Sequence, residues 1–411
     1  LKMSTRRRFS LLAIVIALTA MNSGLYGQEK DTAQLDSQIE LELVWEKEFE
    51  SPVLNFSLTE MNGIPTLEVV ITTDKVQFFT GKNVKEIQTK SYEINWLEGW
   101  RFRLLCSKNG DYIGIRKDHY GDYGRIKEGS EFQVYDKIGN LLTTRKVTNN
   151  YQPFALMNNG AFLVTGVLED ASIVLEQLNG AKEVIFDYPD MRPSTYIGIA
   201  PKGNAFALNV SGIGVMLYDD TGKEVWKRNI ENSHAAGIGI SEHGSYIACF
   251  GKKWGNTLFL YSLKGNMLWE KPIGAGTHFI SFSPDEKFLA VYATWSGIWF
   301  FSVKEGKLLW RYPSDKIGKK INSNFTRSIY SLDIAINGAF VVCADGGGTR
   351  ELPAGDTSVV LLFDKKGKIV WQNDLKIQKE RAPIVRFTDD GKYLIVCNSN
   401  KLYCYKIVGG G

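Results

Sequence analysis

Cysteine is scarce in this chain: five residues in 411, at Cys106, Cys249, Cys343, Cys397 and Cys404. An odd, sparse set excludes a disulfide framework as the organiser of the fold. Cys249, Cys343 and Cys397 each end an apolar strand in the same slot of a repeat, which reads as small buried side chains. Cys397 and Cys404 flank a predicted hairpin, and a bridge between them stays open at this stage. Histidine is rarer still, with His119, His234, His243 and His278 and no His-x-His or His-Glu-x-x-His spacing. His234 and His278 precede the inner strands of consecutive units, the only arrangement that suggests a metal or acid/base pair. A Walker A loop, a Gly-x-Ser-x-Gly elbow and a dinucleotide fingerprint are all missing. These absences favour a non-catalytic protein.

A surplus of charge is also missing once the first residues are set aside. The sequence carries a formal +4, and Lys2, Arg6, Arg7 and Arg8 account for all of it. They precede an apolar run from Phe9 to Ala20, too short for a bilayer span of ~20 residues. Basic residues, a short apolar core and small residues near Gly24 and Gly27 read as an export signal over 1–27, by a general or twin-arginine route. The expected destination is the periplasm or the extracellular space. The neutral remainder gives no footprint for nucleic acid or for an anionic membrane, and no spanning segment.

What the chain has in quantity is repetition. One turn recurs as Asp219 to Trp226, Leu263 to Trp269, Lys304 to Trp310 and Asp364 to Trp371, with Trp four residues after Gly each time. A second turn alternates with it, centred on Gly110, Gly160, Gly203, Gly244, Glu286, Gly338 and Gly391, with a degenerate copy at Gly63. From Gly63 to Gly391 the mean step is about 47 residues, each holding about four short strands, which predicts a propeller blade. The count of turns predicts an all-β propeller of eight four-stranded blades. The alternative is seven, with residues 50–95 as an irregular cap. The last unit is one strand short, and Leu43 to Phe49 copies the missing strand, so the N- and C-terminal strands are expected to close the ring together. Residues 28–40 read as a polar leader, 41–408 as one propeller domain and 409–411 as a frayed end.

The Gly-Lys-x-x-Trp turns resemble the quinoprotein-like (PQQ-like) repeat, and Ser283 to Ala290 resembles a WD40-type turn. The resemblance covers residues 41–408. It implies that Trp45, Trp226, Trp269, Trp310 and Trp371 stack between neighbouring blades. It does not carry over a quinone site, because those dehydrogenases use an adjacent cysteine pair and the nearest cysteines here are seven apart. In size the chain is similar to the scaffold lipoproteins of the outer-membrane β-barrel assembly machinery, without their lipid-attachment cysteine.

Binding residues are expected on the face carrying the interblade loops and the loops between second and third strands. Aromatic and cationic residues gather there: Trp96, Trp100, Arg101, Tyr120, Tyr123, Arg125, Arg327, Arg350 and Arg381, a composition suited to interface hot spots. Two insertions, Lys117 to Arg125 and Asp345 to Asp356, lengthen that face. Asp345, Glu351 and Asp356 are weak calcium candidates, since carboxylates beside glycines suit a hard cation but the EF-hand spacing is absent. No cofactor is otherwise expected. A protein-interaction scaffold is the leading reading. A glycan or small-ligand receptor and a funnel-site enzyme, quinone- or metal-dependent, are the alternatives.

Overall fold

The structure is a computed structural model. It describes residues 39–409 except 62–63, 73–74, 81–84, 92–99, 108–110, 121–125, 138, 148–153, 158, 166–171, 188–194, 201–203, 231–233, 253–254, 275–277, 295, 315–328, 346–356, 377–382 and 389.

The two alternating turns of the repeat translate into up-and-down strands. β1 spans Glu40–Glu48. The next sheet is β2 (Val53–Met61), β3 (Ile64–Thr72), β4 (Lys75–Thr80) and β5 (Lys85–Ser91). It is followed by β6 (Trp100–Cys106), β7 (Tyr112–Tyr120), β8 (Ile126–Asp136) and β9 (Leu141–Val147). Then come β10 (Phe154–Leu156), β11 (Phe162–Thr165), β12 (Ser172–Glu176) and β13 (Lys182–Asp187). The fourth set is β14 (Thr195–Ile199), β15 (Ala205–Val210), β16 (Gly214–Asp219) and β17 (Glu224–Asn229). The fifth is β18 (Ile238–Ile240), β19 (Tyr246–Gly251), β20 (Thr257–Ser262) and β21 (Met267–Pro272). The sixth is β22 (His278–Phe282), β23 (Phe288–Ala293), β24 (Gly297–Ser302) and β25 (Leu308–Tyr312). The seventh is β26 (Ile329–Ile334), β27 (Phe340–Asp345), β28 (Thr357–Asp364) and β29 (Ile369–Lys376). β30 (Ile384–Phe387), β31 (Tyr393–Asn398) and β32 (Lys401–Val408) end the chain.

Among the described residues these strands form eight four-stranded antiparallel sheets, one of them ordered β1-β32-β31-β30. The seven-sheet alternative is overturned at residues 50–95: far from an irregular cap, they hold the regular sheet β2-β3-β4-β5. Glu40, assigned from sequence to the polar leader, already belongs to β1, opposite Val408. First strands neighbour first strands around the ring, and the middle strands are buried almost throughout. The core therefore lies between sheets as well as within them, and one cluster joins Phe56, Leu67 and Val70 to Ile395, Cys397 and Leu402.

The tryptophans make the sheet-to-sheet contacts that the resemblance implied. Trp226 Nε1 donates to Leu263 O at 2.7 Å, Trp269 Nε1 to Val303 O at 2.8 Å and Trp45 Nε1 to Pro65 O at 2.9 Å. Trp310 stacks on Phe363 and Trp371 lies against Tyr405. Three of the turn glycines, Gly265, Gly306 and Gly367, sit beneath the tryptophan of the preceding sheet. A Cβ on Gly265, Gly306 or Gly367 would come within 2.8 Å of that ring, and all three have positive φ. The repeated Gly-x-x-x-Trp spacing thus encodes a contact between units, with the turn of one unit receiving the ring of another. A register shift one residue before each of these tryptophans, at Val44, Val225, Leu268, Leu309 and Val370, turns the ring inward.

Cys249, Cys397 and Cys404 are buried thiols outside any disulfide. Cys397 pairs in register with Leu402 and Cys404 with Ile395, so the bridge left open by the sequence is not made. Burial pushes the thiols of Cys249 and Cys404 up, that of Cys404 to about 12. Asn209, which heads an Asn-x-Ser sequon, is fully buried and donates to Gly237 O and Phe250 O. That environment is closed to a glycan.

Candidate functional site

Connections from second to third strands and from fourth strands to the next first strand leave from the same end of an up-and-down sheet. All the sequence-selected binding residues fall on those connections or on the strand ends beside them. Trp100 and Arg101 open β6, where they stand opposite His119 and Asp118. Tyr120 closes β7 opposite Ile126, and Asp345 closes β27 opposite Ile329. Trp96, Tyr123, Arg125, Arg327, Arg350, Arg381, Glu351 and Asp356 lie outside the described residues. Among the described residues no group of three or more His, Cys, Asp or Glu side chains is placed to hold a metal ion. His234 is exposed.

The wall formed by the first strands carries a polar network that the sequence reading missed. Asp333 Oδ2 accepts from Phe387 N at 2.8 Å, and Ser281 Oγ donates to Asp333 Oδ1 at 3.3 Å. Ser331 Oγ exchanges hydrogen bonds with the backbone of Val385. Arg386 Nη1 donates to Phe56 O at 2.9 Å, and its guanidinium lies 5.0 Å from the Phe56 ring centre. β22, β26, β30 and β2 are thereby tied in series. These residues carry no signature of the repeat turns, since their partners lie in other sheets.

The opposite end holds the turns between first and second strands. A hydroxyl five residues ahead of an aromatic caps the turn, as in Ser241 to Tyr246, Ser283 to Phe288 and Thr388 to Tyr393. Glu286 occupies the slot that is glycine in the sister turns and keeps φ at 58°. Its carboxylate accepts from Ser241 Oγ and from His243 N, both at 2.6 Å, across to the neighbouring sheet. Partial burial would raise this carboxyl, but hydrogen bonds from Ser241, Ser245 and the backbone of His243 outweigh it and hold it below the ordinary range. A depressed pKa supplies stability above the unfolded value, and that stability disappears as pH falls through the folded value. Glu286→Gln is therefore expected to cost about 1 kcal/mol near pH 7, a charged hydrogen bond discounted for exposure. The gap between the two proteins should close below about pH 4. Urea midpoints across pH test this, and a gap that is constant with pH would refute the charge-based account.

Strand order and repeat together define a β-propeller, with turns that resemble the PQQ-like and WD40-like repeats. Residues 213–349, a third of the chain, match the family profile described as outer membrane protein assembly factor BamB. Among solved structures, BamB from Moraxella catarrhalis superimposes with a TM-score of 0.57 at 12% identity, over 89% of this chain and 100% of that one. The C-terminal WD40 domain of Sif2 gives 0.57 at 12% identity, covering 90% and 99%. The computationally designed Ika8 protein gives 0.55 at 12% identity, covering 90% and 100%. No curated protein sequence matches the chain. Among the described residues no helix is long and apolar enough to cross a membrane.

Proposed function

We propose that this chain is an exported, non-catalytic scaffold that binds a protein partner through the end of the ring bearing its long connections. One observation carries the reading. The strand ends that flank 121–125 and 346–356, Tyr120 and Ile126 in one sheet and Asp345 and Thr357 in another, are second-strand ends and third-strand starts, so they share one end of the propeller. The aromatic and arginine residues concentrated on those segments are the types that dominate interface energetics. The profile match to an outer-membrane assembly factor and the basic, short-apolar N-terminus support a periplasmic setting. The absence of a quinone-type cysteine pair argues against dehydrogenase chemistry.

Trp100→Ala, Tyr123→Ala and Arg350→Ala, combined, are expected to weaken partner capture from a native envelope extract by at least roughly thirtyfold, about 2 kcal/mol. The melting temperature should stay close to the parent's. His243→Ala, at the other end, keeps the backbone N–H that Glu286 uses and should change neither. Undiminished capture by the triple variant would overturn the reading. A collapse of its melting temperature would show instead that these side chains are packing.

A further inference from the structure

Outer strands carry free hydrogen-bonding edges, and two stretches of this rim carry opposite charge. β1, with only β32 beside it, presents Glu40, Glu42, Glu46 and Glu48, all exposed, against a single Lys47. Among the described residues Glu48 is paired with Lys401 at 3.0 Å, and Glu42 stands opposite Lys406. At the centre of this acidic edge the register shift leaves Leu43 52% and Val44 37% exposed.

The rim of β21 and β25 has the reverse character. Lys264, Lys304 and Lys307 are exposed there with Glu305 and Lys271 is half-buried, while Glu270 is paired with Lys252 at 2.9 Å. Its apolar residues are Leu263, Met267, Leu268, Leu308 and Leu309, between 37% and 55% exposed. They form one patch, because the Val303 to Lys307 turn carries both the acceptor of the Trp269 indole and the Gly306 seat beneath its ring. The sheet β26-β27-β28-β29 lies between this patch and the acidic edge. Separation by a whole sheet exceeds the screening distance of about 8 Å at physiological salt, so the two cannot neutralise each other within one chain.

We infer that the acidic edge of β1 docks on the basic, apolar rim of β21 and β25 of a second copy of this chain. Leu43 and Val44 meet Met267, Leu268, Leu308 and Leu309, while Glu40, Glu42 and Glu46 face the lysines. The two surfaces differ, so the contact is heterologous. It leaves one acidic and one basic surface free on each pair and therefore propagates beyond a dimer, closing into a ring or extending as a chain. Charge carries the encounter and apolar contact the residence.

The test is sedimentation velocity on the purified protein as a function of concentration and salt. Species larger than a dimer are expected at about 0.05 M salt and should dissociate as salt shortens the screening length. Glu42→Lys with Glu46→Lys, and separately Lys264→Glu with Lys307→Glu, should each weaken association roughly tenfold or more. Mixing the two reversed proteins should restore it, because the basic edge of one then meets the acidic rim of the other. Restoration also shows that both variants are folded. A protein that is monomeric at low salt at every concentration overturns the inference, as does association indifferent to both reversals. Capture of the monomer on phosphatidylglycerol vesicles, lost with Lys264→Glu and Lys307→Glu, would overturn it too and assign the rim to lipid.

Discussion

Removal of residues 40–49 is expected to leave a protein without a cooperative unfolding transition near the parent's. β1 pairs with β32 from Glu40–Val408 to Glu48–Lys401, so the deletion exposes the backbone of a strand that is otherwise covered. It also removes the Trp45 indole from Pro65 O and takes Phe49, only 6% exposed, out of the cluster joining the first and last sheets. Truncating a core aromatic costs about 3–5 kcal/mol, against a total domain stability of about 5–15 kcal/mol. Two aromatics and a strand ladder are lost together. The Arg386–Phe56 contact on the inner wall remains but holds only the first strands. Near-ultraviolet circular dichroism and urea unfolding measure the result. A deletion variant with the parent's midpoint would show that the remaining contacts between the last and first sheets, Arg386 to Phe56 and the cluster from Phe56 to Leu402, suffice for closure.

The second large effect concerns single glycines. Gly306→Ala and Gly367→Ala each place a Cβ about 2.7 Å from the tryptophan of the preceding sheet, at a φ of +60° or +80°. The left-handed conformation costs about 1–2 kcal/mol for a residue with a side chain. Forcing a methyl into a filled contact adds about 1–3 kcal/mol. A loss of about 2–5 kcal/mol is therefore expected from each. Gly212→Ala separates the two terms, because its φ is +79° yet nothing lies within 4 Å of the new Cβ. It should lose only the conformational part. Equal losses at all three positions, read from urea midpoints, would show that backbone strain alone matters and that the tryptophan contact does not resist.

These two results also explain why much of the architecture could be read from the sequence. Gly265, Gly306 and Gly367 are required by a local φ and by a tryptophan four residues short of one repeat away, and both constraints recur in every such unit. The closing strand was legible for the same reason, since Leu43 to Phe49 copies its sister strands around Trp45. The shift at Val225, Leu268 and Leu309 was not, because a bulge changes which side chains face inward without changing the residue types. Nor were Asp333, Ser331 and Arg386, whose partners lie in other sheets and obey no period. On the candidate face the sequence supplied residue types and the strand order supplied the common end. The segments that give this face its character are insertions, free of the repeat that made the rest predictable.

The pairing of β1 with β32 also sets an order of events in time. β1 is the first strand of the ring to be made, and its only partner is the last. Glu40 must wait for Val408, more than 360 residues later, before its ladder forms. Until then each completed sheet can dock on its predecessor, but the final sheet lacks its outer strand and the first has no neighbour on one side. Contacts this distant in sequence are slow to form. A chain released early, or one whose first strand is captured by another molecule, would hold an open arc with two unsatisfied flanks. The ring is therefore vulnerable to misassembly longest at the seam where its two ends meet.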